Sequence, residues 1–170
     1  MKKILLSLFI LSLLSTTSCN NDDDNGSNDP IDQLPPPTQT GENTIGYLFN
    51  GIPVSITNSS EIGAFYQQLQ LQIGADFDDD NESLSISLLA NGPLIIDTEY
   101  SLINNSFVVY WGDSVNCFYD IDDTYQGSMI ITYFDDINYI ISGTFEFSTV
   151  TDDCEIINIT EGRFDVQYAP

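Results

Sequence analysis

The chain has 170 residues, with 26 acidic and three basic ones, no histidine and a formal net charge of −23. Neutralising phosphates takes lysine and arginine, so nucleic-acid binding is excluded, as is charge-driven adsorption to anionic lipid. Without histidine the commonest general base is missing; Ser–His–Asp and Cys–His catalysis are ruled out, and a zinc site built on His or Cys nearly so.

The first element is a secretory signal over residues 1–18. Lys2-Lys3 precedes an apolar run from Ile4 to Leu14, and Ser15-Thr16-Thr17-Ser18 then leads to Cys19. A membrane-spanning helix needs about 20 apolar residues. A basic start, a short apolar middle and small residues before a cut mark a removable signal. A cysteine at the cut is the layout of a bacterial lipoprotein, in which cleavage frees the Cys19 amine and diacylglycerol takes its thiol. Thr16 stands where leucine is more usual, and an ordinary secretory signal with an incidental cysteine is the alternative. One acyl chain binds a bilayer marginally and two or three bind it firmly, so membrane attachment through the lipid is expected.

Asn20-Asn21-Asp22-Asp23-Asp24 follows. An acidic cluster behind a lipidated cysteine resembles the surface-export signal of Bacteroidetes lipoproteins. The resemblance implies an outer-membrane lipoprotein exposed at the cell surface; without it the protein faces the periplasm. Residues 19–43 read as a disordered acidic tether stiffened by Pro35-Pro36-Pro37, because such composition buries too little apolar surface to order itself. As flexible coil the segment would span roughly 27 Å. Loss of Lys2 and Lys3 with the signal leaves Arg163 as the only base and a mature charge of −25. That acidity serves mainly solubility, while divalent cations, neutral glycans and basic proteins remain compatible partners.

Residues 44–170 suffice for one domain with one core. Period-2 alternation dominates: Leu69, Leu71 and Ile73 between glutamines, Leu84, Ile86 and Leu88 between serines, Phe145 and Phe147, then Phe164, Val166 and Tyr168. Asn50-Gly51 is a two-residue hairpin signal. Asn91-Gly92-Pro93 and Asp135-Asp136-Ile137-Asn138 separate further runs, and Asp78-Asp79-Asp80-Asn81 is a loop. Short strands at this spacing predict an all-β, antiparallel β-sandwich of roughly eight to ten strands in meander-like order, with a partly closed up-and-down β-barrel as the alternative.

Within this domain, Asp76, Asp78 and Asp80 with Glu82 resemble the opening of a calcium loop, since calcium takes several hard oxygens. Asn81 occupies the position that needs glycine, Ser87 the position that needs glutamate, and the flanks are strands. A second cluster, Asp120-Ile121-Asp122-Asp123, could contribute. Two solvated acidic turns are the preferred reading, so no cofactor is expected and Ca2+ is the one candidate. Tyr110, Trp111, Phe118, Tyr119 and Tyr125 form an aromatic region that suits either sugar stacking or, preferentially, a sheet core. Asp113-Ser114-Val115 fits a short Bacteroidetes O-glycosylation motif at Ser114.

Once Cys19 is acylated, Cys117 and Cys154 remain as an even pair in an oxidising compartment, which predicts a disulfide. Closing that loop would stabilise by up to about 4 kcal/mol. Arg163, as the lone base, is expected to form a cross-strand pair with Glu146 or Asp165.

Ser142-Gly143-Thr144-Phe145-Glu146-Phe147, Thr160-Glu161-Gly162-Arg163-Phe164-Asp165-Val166 and the early Asn50-Gly51 hairpin resemble a Flavobacteriia-type Bacteroidetes family of small secreted or lipoprotein domains of unknown function. The resemblance implies an all-β lipoprotein and carries over no catalytic residue. The expected role is a non-enzymatic, outer-membrane-anchored β domain with a surface binding or structural function. A carbohydrate- or calcium-binding module is the alternative, and a carboxylate-pair glycoside hydrolase the third reading. Ligands of glycan or protein type are both compatible, and the oligomeric state is left open.

Overall fold

The computed structural model describes residues 29–78, 83–112 and 115–170. In chain order the strands are β1 (Thr44–Phe49), β2 (Ile52–Ile56), β3 (Ile62–Gln67), β4 (Gln70–Asp78), β5 (Ser83–Asn91), β6 (Glu99–Ser101), β7 (Ser106–Gly112), β8 (Val115–Tyr119), β9 (Thr124–Asp135), β10 (Ile140–Thr149) and β11 (Ile157–Gln167). They form a six-stranded sheet ordered β2-β1-β11-β10-β9-β6 and a five-stranded sheet ordered β3-β4-β5-β7-β8. Every strand pair is antiparallel. This is the expected sandwich; the two sheets do not close into a barrel, partly closed or otherwise, as the alternative had it. The eleven strands among the described residues exceed the expected count. Glu99-Tyr100-Ser101 is too short to display alternation, and Pro53 interrupts the pattern of β2.

The order is largely a meander, because two-residue turns such as Asn50-Gly51 join antiparallel neighbours directly. Asn50 and Gly51 both hold positive φ, at 49° and 85°. β6 departs from the meander by crossing from the run of the five-stranded sheet to pair with β9.

Alternation places one side of each strand between the sheets. Ile45 and Tyr47 from β1, Ile141, Phe145 and Phe147 from β10, and Phe164 and Val166 from β11 meet Leu71, Ile73, Leu84, Ile86 and Leu88 of the other sheet in one buried core. Phe49 and Tyr110 touch across the sheets with ring centroids 5.6 Å apart.

The two glycine–phenylalanine motifs explain each other. Gly143 faces Phe164 and Gly162 faces Phe145 in the β10–β11 register. A Cβ at Gly143 would meet the Phe164 ring, and one at Gly162 would meet the Phe145 ring. Each ring lies over the glycine opposite it, a known device for shielding strand glycines, and the rings sit 6.3 Å apart.

The C-terminus joins the layers at one corner. Ala169 pairs with Phe65 as an isolated parallel bridge, with hydrogen bonds of 2.9 Å from Tyr66 N to Ala169 O and from Ala169 N to Ala64 O. The chain leaving the six-stranded sheet thus covers the edge of the five-stranded one. Tyr168 packs there on Phe134, Tyr66 and Tyr139.

The boundary expected at Thr44 lies too late. Pro30–Gln33 forms a short 3-10 turn capped by the Asp29 side chain. Leu34 and Pro35 are buried, and residues 38–42 bond to β11. Composition alone assigned 19–43 to a tether, but residues 29–43 belong to the folded domain, held by contacts that their polarity does not advertise.

Candidate functional site

The outer face of the six-stranded sheet carries the segment 29–43 as a strap. Its 3-10 turn contacts β2, Pro35 lies over Gly46 where no side chain intervenes, and Gln39 Nε2 reaches Thr132 O on β9 at 3.4 Å. The strap then returns to β11. Asp165, 1 % exposed, receives five hydrogen bonds there. Oδ2 accepts from Thr38 Oγ1 at 2.6 Å, Thr40 N at 3.0 Å and Glu42 N at 3.2 Å. Oδ1 accepts from Gly41 N at 2.9 Å and Ser142 Oγ at 2.8 Å. Burial alone pushes the Asp165 carboxyl up, but the bonds from Thr38, Thr40, Gly41 and Ser142 outweigh it and hold the group below its ordinary value. Gly41, at φ 75°, lets the chain curl around the carboxylate.

Arg163 does not make the ion pair expected of it. Its Nε donates to Glu161 O at 3.4 Å and its Nη1 to Pro35 O at 3.5 Å. Asp165 spends its acceptors on the strap, although Arg163 and Asp165 share the outer face of β11. Arg163 and Glu146 line one concavity of about 440 Å³ beside Pro37, without the hydrogen bond that would join them. Arg163, the one lysine or arginine among the described residues, therefore steadies the strap through a backbone carbonyl.

Among the described residues no such strap crosses the outer face of the five-stranded sheet. Gly63, Gly74, Ser87 and Phe107 stand in one transverse row across β3, β4, β5 and β7. Phe65, 41 % exposed, lies two residues along β3. With Gln72, Asp76 and Ser85 these residues line a shallow concavity of about 520 Å³. Asp76 Oδ1 accepts from Ser85 Oγ at 2.6 Å, and Gln72 Nε2 donates to Ser87 Oγ at 3.3 Å.

Comparison with family models, curated proteins and solved structures returns no match. Geometry and residue chemistry carry the functional reading.

The remaining expected site residues divide cleanly. Cys117 and Cys154 form the predicted disulfide, with Cα atoms 6.2 Å apart, tying β8 of one sheet to the β10–β11 loop of the other. Tyr119 reinforces the tie through its hydroxyl, 2.6 Å from Glu155 O. Of the aromatic region, Tyr119 is buried and Tyr110 packs on Phe49, while Phe118 and Tyr125 are exposed. The side chain of Trp111 lies outside the described residues.

Asp76 and Asp78 end β4; Asp80 and Glu82 lie outside the described residues, as do Ser114 and Cys19. Among the described residues no group of three or more His, Cys, Asp or Glu is placed to hold a metal ion. The second acidic cluster is a capping box, with Asp120 and Asp123 closing on each other's backbone. Sequence reasoning missed both Asp165 as a clasp and the paired strand glycines. Gly74 within the alternating run of β4 was the only legible hint of the second, and its pairing with Gly63 needed the register; the first had none, because the strap is remote in sequence.

Proposed function

We propose that the protein is a lipid-anchored, non-enzymatic β-sandwich of the outer membrane, exposed at the cell surface, whose domain binds a surface ligand or serves a structural role there. The signal followed by Cys19 supports the anchor, and the acidic residues 22–24 support surface export. The observation that carries the reading is the strap. Folding begins by residue 30, so the chain between Cys19 and the domain is about ten residues and can reach at most roughly 36 Å. The domain is therefore held close to the envelope, and the contacts of Asp165 transmit that attachment into β11.

The residue chemistry supports a non-enzymatic role. The chain has no histidine, no lysine beyond Lys3 and one arginine, and the two domain cysteines are joined. In cells expressing the full chain, surface protease should digest the domain without lysis. Cys19→Ser should shift it out of the membrane fraction. A domain that stays membrane-bound in the Cys19→Ser variant, or resists protease until lysis, would count against the proposal.

A further inference from the structure

The outer face of the five-stranded sheet contains a feature the fold does not need. A glycine inside a strand weakens it, and most of those described here repay that weakness by making room. Gly46 admits Pro35, Gly127 admits Phe147, and Gly143 and Gly162 admit the two phenylalanine rings. Gly63 and Gly74 do not. Neither has a positive φ, a Cβ at Gly63 would meet nothing within 4 Å, and one at Gly74 would come no closer than 3.8 Å to any atom. They stand opposite each other on adjacent strands. A strand glycine without an internal reason marks a place where something else approaches the backbone.

The surroundings identify the kind of molecule. The floor of Gly63, Gly74 and Ser87 is three strands wide, roughly 10 Å, and the concavity lies in the range of small-molecule sites. Phe65 and Phe107 line it, and aromatic rings are the side chains on which C–H groups pack. Asp76 and Gln72 each use one polar atom within the sheet, leaving Asp76 Oδ2 and Gln72 Oε1 to accept hydrogen bonds. A site lined by aromatic residues and acceptors, with no base, repels anions and suits a molecule of hydroxyl donors and apolar C–H patches.

We propose that this face binds a neutral oligosaccharide across Gly63 and Gly74. The inference rests on the surface-binding reading above and names its ligand class. The described strap, residues 29–43, lies on the other sheet.

The test is calorimetric titration of the full chain in detergent with cellohexaose, xylohexaose, mannohexaose and chitohexaose, with hexagalacturonate and hexalysine as charged comparisons. At least one neutral hexaose should bind, and Phe65→Ala or Phe107→Ala should weaken it tenfold or more. Gly63→Val and Gly74→Val should abolish binding while the melting temperature holds or rises, an outcome that a merely structural role for these glycines would not give. Tyr125→Ala, on the other sheet, should bind as the parent does. Failure of every neutral hexaose, or binding of hexalysine alone, overturns the proposal. So does binding that survives both valine substitutions. None of these results touches the anchor, which surface proteolysis and fractionation read separately.

Discussion

Asp165 gathers five donors onto one carboxylate. Hydrogen bonds to a charged group each contribute about 1.5–3 kcal/mol, and an amide cannot accept on both sides. Asp165→Asn should therefore destabilise the domain by about 2–3 kcal/mol in urea unfolding. The same carboxylate sets an acid limit. Its folded pKa lies below the ordinary value, so its stabilising contribution is complete above an unfolded pKa of about 3.9 and is lost as pH falls through the lower folded value. Urea midpoints should drop more steeply below pH 4 in the parent than in Asp165→Asn; parallel curves would remove Asp165 as the acid-sensitive clasp. Tyr47 presents the opposite case. Burial pushes its hydroxyl's pKa up, and that hydroxyl lacks a hydrogen-bond partner among the described residues. Tyr47→Phe removes a buried unsatisfied group and keeps the ring contact with Phe145. Stability should hold or rise by about 1 kcal/mol, and a clear loss on thermal unfolding would mean the hydroxyl is bonded.

At the scale of elements, sheet edges invite pairing with other chains, and three of the four edge strands here are short or guarded. β2 carries Pro53 and contacts the 3-10 turn of the strap, β6 has three residues, and β3 is covered by the C-terminal tail. The strap and tail are thus structural elements despite their irregular backbones. A chain beginning at Thr44 would expose Gly46 and leave the Asp165 carboxylate without its strap donors. It should melt well below a chain beginning at Asp29 and associate more readily, as read by light scattering; equal melting temperatures would show that the strap only rests on the sheet. The strands themselves were legible in the sequence because their inward residues alternate with polar ones. Asp135-Asp136-Ile137-Asn138 was legible as a turn because Asp135 caps it locally, accepting from the backbone of Ile137 and Asn138. Residues 29–43 were not legible. Thr38, Thr40 and Glu42 look like solvated linker until Asp165, more than 120 positions away, supplies their partner.

For the whole molecule, the two layers are fastened at opposite ends. Aromatic rings and the Ala169 bridge close one end, and the Cys117–Cys154 disulfide spans 37 positions near the other. In the chain-entropy account this bond contributes up to about 4 kcal/mol, so the double substitution to serine should lower the urea midpoint by a corresponding amount. A change near zero would mean that the β10–β11 loop is held equally well by Tyr119 and Glu155. The disulfide was legible because counting cysteines requires no geometry. The expected Arg163 ion pair failed because counting charges does not reveal that Asp165 already has five donors. The glycine-floored face needed the register itself, since Gly63 and Gly74 are neighbours only after β3 and β4 pair.

The proposed placement of the domain at the envelope depends on the chemistry at Cys19. The direct measurement is the intact mass of the native protein from membranes, before and after reduction, with sequencing of its N-terminus. A chain that starts at Cys19, carries the mass of a diacylglyceryl group with or without a further acyl chain, and gains two hydrogens on reduction is the predicted result. An unacylated chain beginning at any other residue would contradict the account.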